Sequence, residues 1–90
     1  MLEVSKKIQI NPDIILKGIN NKYWALNTKS GAQYRLNELS FDVLSAADGK
    51  TTIEDIVGNQ LKKYNVERTV LENDIMIFLS NATQKGIILE

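Results

Sequence analysis

The N-terminal part of the chain alternates apolar and polar positions, whereas the rest repeats apolar positions every three or four residues. Residues 2–10 carry all their apolar side chains at even-numbered positions, 2, 4, 8 and 10, which is typical of a β-strand with one buried face. Asn11-Pro12-Asp13 then predicts a turn. The run Ile14-Ile15-Leu16 is too short and too apolar for its periodicity to indicate a structure, and residues 18–22 interrupt the pattern again.

A β-hairpin is the clearest local prediction. Two β-prone runs, residues 23–26 and 32–36, flank the polar loop Asn27-Thr28-Lys29-Ser30-Gly31. In the preferred register Trp24 lies opposite Tyr34, and the bulky side chains share a core face, which holds Trp24, Leu26, Tyr34 and Leu36. A shift of one residue instead brings Gln33 and Arg35 beside the apolar residues of the first strand.

Helical periodicity follows Leu36 and predicts three helices, over about residues 38–47, 52–65 and 67–85. Asn37 is a suitable N-cap for the first, and Thr51-Thr52-Ile53-Glu54 has the pattern of a capping box for the second. Asp48-Gly49 and Gly86 are expected to end the first and third helices. The apolar tail Ile87-Ile88-Leu89 either packs or adds a strand.

This order of elements predicts an α+β fold, because strands come first and helices follow. We expect a three-stranded antiparallel β-sheet within residues 2–37, followed by the three helices, in a single domain over residues 1–90. Three helices beside a small sheet resemble a winged helix-turn-helix.

The third helix has two apolar lines. The ordinary core stripe consists of Leu71, Ile75, Phe78, Leu79 and Ala82. The second line consists of Val70, Asp74, Ile77 and Asn81. This line indicates either a broad core contact or the wall of a groove with one carboxylate in it, and Asp74 is otherwise a solvated surface acid. Met76 is expected at the surface or rim.

Composition excludes several kinds of chemistry. The chain has 90 residues, of which 43% are hydrophobic and 24% charged, which suits one modest globular core. It has no Cys and no His, which excludes disulfides, thiolate nucleophiles, Cys/His zinc sites and imidazole acid–base catalysis. No carboxylate dyad or phosphate-binding glycine loop is present, so we predict no catalytic residue, no metal and no cofactor.

Targeting signals are also missing from the sequence. No run of about 18 apolar residues could span a membrane, and the N-terminus has no apolar core of a secretion signal. We therefore expect a cytoplasmic protein without a membrane partner.

Charge is unevenly distributed although its sum is zero. Residues 1–37 carry six basic and two acidic side chains, a net charge of +4, and residues 38–90 carry five basic and nine acidic ones, a net charge of −4. This is either scatter in a small sample or a field that attracts an acidic partner to the strand half. The third helix is acidic, which argues against nucleic acid as a partner.

Four stretches in a fixed order carry a resemblance to a known family: Trp24–Asn27, Gly31–Glu38, Asp48–Val57 and Asp74–Leu79. Their order and spacing resemble the PqqD-like domain, also called the RiPP precursor peptide recognition element, in its stand-alone form. The resemblance implies a non-catalytic module that binds the leader segment of a ribosomally synthesised precursor peptide. The module would deliver this peptide to a partner modifying enzyme such as a radical SAM maturase, a cyclase or a leader peptidase.

The resemblance also implies where the leader would bind. It would add as an antiparallel strand to the third strand and lie against the third helix, and the matching residues are Ala32, Gln33, Tyr34, Arg35, Leu36, Val70, Asn73, Asp74 and Ile77. Elementary physics agrees, because the last strand of a meander has an open edge for main-chain pairing. Arg35 would then pair with a leader carboxylate, and Asp74 with a leader Lys, Arg or main-chain amide.

Two other functions stay open on the sequence alone. A winged-helix DNA-binding regulator would have the same fold, and a purely structural accessory subunit of an enzyme would use the same open edge.

Overall fold

The computed structural model describes residues 3–89, which form two three-stranded antiparallel sheets and three helices. The strands are β1 (Lys7–Ile10), β2 (Ile14–Ile19), β3 (Lys22–Asn27), β4 (Gln33–Leu36), β5 (Asp48–Thr52) and β6 (Ile88–Leu89). The helices are α1 (Glu38–Ser45), α2 (Ile53–Leu61) and α3 (Arg68–Gln84). The predicted α+β class is confirmed, and β5 and β6 add a second sheet to it.

The meander β2-β3-β4 forms one sheet. Its first strand, β2, is the apolar run that periodicity could not assign. Strand β2 pairs with β3 along its whole length, from Ile14 opposite Asn27 to Ile19 opposite Lys22. Asn20 and Asn21 connect them with φ angles of 53° and 62°, which a type I′ turn requires and Asn tolerates. The interruption at residues 18–22 is therefore a tight turn that continues the ladder.

The preferred hairpin register is wrong by one residue. The structure pairs Trp24 with Arg35 and Ala25 with Tyr34. The reason lies in the loop, because Asn27 pairs with Ala32 and leaves four residues to form the turn. The core side chain of β3 is consequently the small Ala25, which is completely buried, whereas Trp24 lies half-buried on the opposite face. The expectation that Trp24 and Leu26 belong to the core face is wrong for the same reason.

The second sheet has the order β5-β1-β6. Strand β1 therefore pairs with β5 and β6, not with the hairpin as expected; Leu2, which was placed on its predicted strand, lies outside the described residues. Asp48-Gly49 does not end a helix, since α1 already ends at Ser45. Instead, an Asp48 carboxylate oxygen accepts hydrogen bonds at 2.9 Å from the backbone N–H groups of Lys50 and Thr51, and this turn begins β5.

Side-chain caps begin two of the helices. Asn37 Oδ1 accepts a hydrogen bond of 2.8 Å from the Ser40 N–H and caps α1 as predicted. The cap of α2 is Thr52, whose Oγ1 accepts from the Asp55 N–H at 3.1 Å, so the predicted capping box was placed one residue early. Helix α2 ends at Leu61 rather than at residue 65. Gly86, with φ of 73°, follows α3.

The core joins both sheets to the helices. Ile8 and Ala25 from the sheets and Leu44, Ile56 and Ile75 from the helices are each at most 1% exposed. The buried side chains are almost all apolar, and the removal of their surface from water is the main force that holds so small a domain together. Helix α1 packs on the meander, and α3 packs on α1, α2 and β6.

Candidate functional site

Strand β4 forms an edge of its sheet, since the order β2-β3-β4 places no further strand beside it among residues 3–89. Asn27 N–H donates to the Ala32 carbonyl at 2.9 Å. Hydrogen-bonded and non-hydrogen-bonded pairs alternate along an antiparallel ladder. The main-chain groups of Tyr34 and Leu36 therefore point to β3, and those of Gln33 and Arg35 point to the open edge.

A groove lies between this edge and the C-terminal half of α3. It has a volume of about 210 Å³. Its walls include Tyr34 and Leu36 from the strand, and Phe78, Asn81 and Lys85 from the helix. The Lys85 ammonium lies 5.6 Å from the centre of the Tyr34 ring, within the range of a cation–π contact. The groove can thus hold an apolar side chain beside a positive charge.

The second apolar line of α3 is exposed, which contradicts a broad core contact. Val70 and Ile77 are 51% and 55% exposed, and Asn73 and Asp74 are exposed as well. Ile77 and Asp74 precede Asn81 by four and seven residues, so they lie on the same side of the helix, one and two turns before the groove. The helix therefore presents a continuous stripe that extends beyond the groove.

Met76 lies at the rim of the core, one of the two positions expected for it. It is half-buried and packs against the buried core residues.

The structure places most of the predicted site residues in three parts of the surface: the open edge of β4, the groove beside it, and the exposed stripe of α3 outside the groove. Gln33 and Arg35 supply edge-facing main chain, whereas Tyr34 and Leu36 supply side chains to the groove. Ala32 precedes β4, and both its main-chain groups are engaged, by the Asn27 N–H and by Ser30 Oγ. The helix residues lie along α3 outside the groove walls.

Several groove residues are absent from the predicted site, among them Phe78, Asn81 and Lys85. The sequence pattern assigns Phe78 to the core stripe and Lys85 to the end of the third helix. Asn81 did lie on the second apolar line, and the same helical spacing extended by four residues reaches Lys85. Extending the second apolar line to the C-cap of α3 would therefore have brought Asn81 and Lys85 into the predicted site.

Arg35 directs its side chain away from the groove. Its guanidinium lies 5.2 Å from the centre of the Trp24 ring, on the opposite face of the sheet. A residue that an added strand placed opposite Arg35 would have its side chain on this same face.

Shifted pKa values belong to structural contacts and not to the groove. A hydrogen bond of 2.8 Å from Lys63 Nζ to Asp42 raises the pKa of the lysine and connects the segment after α2 to α1. Burial, with the nearby Glu38 carboxylate, raises the pKa of Tyr64. Backbone N–H donors lower the pKa of Asp48.

Residues 3–89 contain no cluster of carboxylates that could hold a metal ion. Nor does any helix in this range have the length and apolarity needed to cross a membrane.

Comparison with known sequences identifies a family. Residues 21–88 match the family model described as coenzyme PQQ synthesis protein D (PqqD). The match covers most of the chain and confirms the resemblance seen in the sequence. No curated protein matches the sequence.

Solved structures share the fold at 21% sequence identity. One is the solution structure of the PqqD truncation of Methylobacterium extorquens PqqCD, described as a functional and stand-alone RiPP recognition element; it has a TM-score of 0.84 and covers 100% of this chain and 96% of its own. Lasso peptide synthetase B1 complexed with the leader peptide has a TM-score of 0.80 and coverages of 93% and 99%. TbiB1 in complex with the TbiA(beta) leader peptide has a TM-score of 0.78 and coverages of 89% and 93%.

Proposed function

Because the chain belongs to the PqqD family, we propose that it binds the leader segment of a ribosomally synthesised precursor peptide and delivers this peptide to a modifying enzyme. The open edge of β4 beside the groove carries the proposal. Two neighbours of the same fold are complexes with leader peptides, which supports it. The recognition module would comprise residues 1–90 as a single domain.

Binding by strand addition follows from the geometry of the edge. An antiparallel leader strand would pair with the N–H and C=O groups of Gln33 and Arg35. Successive side chains of a strand point to opposite faces, so the leader residue opposite Tyr34 enters the groove. The residues opposite Gln33 and Arg35 point to the other face, where a carboxylate would meet the guanidinium of Arg35.

Helix α3 would read the other side of the peptide. Val70 and Ile77 offer apolar contacts, and Asp74 offers a carboxylate to a leader Lys, Arg or main-chain N–H. Lys85 places a positive charge at the opposite end of the stripe. The two charges would favour one direction of the peptide along the groove.

The module itself would be non-catalytic. Without His and Cys it has neither an imidazole base nor a thiolate nucleophile, and the groove walls bring no pair of carboxylates together. Its contribution is to raise the local concentration of the peptide at the enzyme.

The expected affinity is moderate. A disordered leader becomes ordered on binding, which costs about 2–5 kcal/mol. A dissociation constant from micromolar to high nanomolar, about −8 to −9 kcal/mol, is therefore the expectation.

Isothermal titration with a synthetic leader tests the proposal. The peptide is taken from the precursor gene beside the gene of this chain, and a scrambled peptide of the same composition is the control. We expect saturable binding of the leader alone. Absence of binding to the folded protein, both alone and with the modifying enzyme added, would contradict the proposed function.

A further inference from the structure

The face of β2-β3-β4 opposite the core has a composition of its own. We call it the outer sheet face, and its side chains are Ile15, Lys17, Ile19, Lys22, Trp24, Leu26, Gln33 and Arg35. Strand alternation places all of them on this side, because Ala25 and Tyr34 occupy the other.

Apolar side chains occupy the middle of the outer sheet face. Ile15 and Ile19 are 54% and 50% exposed, far more than apolar residues of a sheet that packs on a core. A cleft of about 240 Å³ lies here, with Ile19, Trp24 and Leu26 in its walls. Exposed apolar surface with a cleft is typical of a protein–protein interaction site.

The charge of the outer sheet face is positive and unpaired. It contains Lys17, Lys22 and Arg35 and no acidic side chain. Among residues 3–89 these three cations form no ion pair, and the Arg35 guanidinium lies over Trp24 instead. Cations placed around an apolar centre complement a surface that carries acidic residues around an apolar protrusion.

We propose that the outer sheet face docks an acidic and apolar surface of the modifying enzyme that receives the peptide. The identity of this partner rests on the proposed function, and the chemistry of the partner surface rests on the face itself. The face lies on the side of the sheet away from the groove, so peptide and enzyme bind at the same time. A strand added at β4 would extend the outer sheet face, and the enzyme would then contact both module and peptide.

Two other occupants fit the face less well. A second copy related by two-fold symmetry would place Lys17, Lys22 and Arg35 against the same residues, and like charges would repel. A single-stranded nucleic acid stacks its bases on several aromatic rings, whereas this face has one tryptophan among aliphatic side chains.

The test uses a double variant with matched controls. Lys17→Glu combined with Ile19→Ser changes one charge and one half-exposed apolar side chain on the face. Lys62→Glu combined with Val66→Ser makes the same changes at exposed positions near the end of α2, where Val66 is 49% exposed. Biosensor titration measures binding to the purified modifying enzyme encoded beside this chain.

We expect the face variant to bind the enzyme at least about tenfold more weakly, because truncation of central interface residues has effects of this size. The control variant and the leader affinity of both variants should stay unchanged. Equal enzyme affinity for the face variant and the original protein, or no binding by the original protein, would overturn the docking surface. Two other results would also overturn it. One is self-association in sedimentation that the face variant alone loses, and the other is a gel shift of single-stranded RNA that the face variant alone loses.

Leader titration separates this inference from the proposed function. If the original protein does not bind the leader, but binds the enzyme and the face variant does not, then the docking surface is supported and leader binding is contradicted. If the original protein binds the leader and the face variant binds the enzyme with unchanged affinity, then leader binding is supported and the docking surface is contradicted.

Discussion

Individual residues at turns decide which side chains reach the site. Asn27 Oδ1 accepts hydrogen bonds from the N–H groups of Lys29 and Ser30 at 2.9 and 3.0 Å, and Gly31 adopts a φ of 79°. This loop sets the register of β4, and a shift of one residue would exchange its two faces. The position of Tyr34 in the groove therefore depends on contacts within the loop.

The turn between β2 and β3 gives a stability prediction. Asn21 has a φ of 62°, a conformation that costs an ordinary residue about 1 kcal/mol or more. Asn21→Ala should therefore lower the free energy of unfolding in urea by about 1 kcal/mol. Asn21→Gly should leave it nearly unchanged, because glycine adopts positive φ readily. Equal stabilities for the Ala and Gly variants would contradict the turn.

Asp48 gives a prediction on pH. N–H donors of Lys50 and Thr51 lower its pKa from 3.8, so the folded state binds this proton more weakly than the unfolded state. The stabilisation is present above pH 3.8 and is lost as the pH falls further, through the folded pKa. The difference in melting temperature between the original protein and Asp48→Ala should shrink in this range.

Asp48→Asn is the control, because an amide oxygen accepts the same hydrogen bonds without titrating. A melting-temperature difference for Asp48→Ala that stays constant under acid would argue against the role of the carboxylate.

In the proposed mode of binding, strands and helices would contribute different kinds of recognition. Strand β4 would offer main-chain hydrogen bonds, which bind many sequences alike, whereas the exposed stripe of α3 would offer side chains that distinguish them. The two elements meet only because α3 packs beside the edge that β4 leaves open.

A proline pair tests the edge. The Gln33 N–H points outward, so Gln33→Pro should leave the domain folded and weaken leader binding about two- to tenfold, the equivalent of one hydrogen bond. The Tyr34 N–H points to β3, so Tyr34→Pro should destabilise the sheet. Circular dichroism and titration separate these effects. Full leader affinity in the folded Gln33→Pro protein would rule out strand addition at β4.

The stripe of α3 is tested by added carboxylates. Val70→Asp and Ile77→Asp should each weaken leader binding about tenfold, because a charge would replace an apolar contact. Thr69→Asp is the matched control, since Thr69 is exposed beside Val70 but lies further around the helix. Similar titrations for Val70→Asp and Thr69→Asp would place the peptide elsewhere.

The two proposed binding surfaces differ in their face of the molecule and in their charge. The basic strand half includes the outer sheet face, and the acidic helical half includes the exposed α3 stripe. A protein without net charge can in this way attract partners of opposite sign to different sides.

Ligand linkage predicts a change in global stability. A leader that binds only the folded state, at a concentration one hundred times its dissociation constant, should add about 2.7 kcal/mol to the free energy of unfolding. For a domain of this size the melting temperature should rise by about 10 to 20 °C. Scanning fluorimetry measures this shift, and the Gln33→Pro protein at the same peptide concentration should show a smaller one. An unchanged melting temperature at saturating leader would contradict binding to the native fold.

Local patterns were sufficient for the fold class and for the three helices. Helical spacing located α1, α2 and α3 within a few residues, and the Asn37 cap was recognised from its type alone. Helical spacing also located the second apolar line of α3, but only the structure decided that Val70 and Ile77 on this line are exposed.

Only the tertiary structure decided the sheet faces, the second sheet and the groove. The hairpin register depended on a loop hydrogen bond, and β5 and β6 are strands only because β1 lies between them. Phe78 and Lys85 join Tyr34 at the groove through packing between elements far apart in the chain. Local spacing therefore determined the three helices, the hairpin strands β3 and β4, and which side of a helix is apolar. Contacts between distant elements decided which strand edge stayed open and which side chains line it.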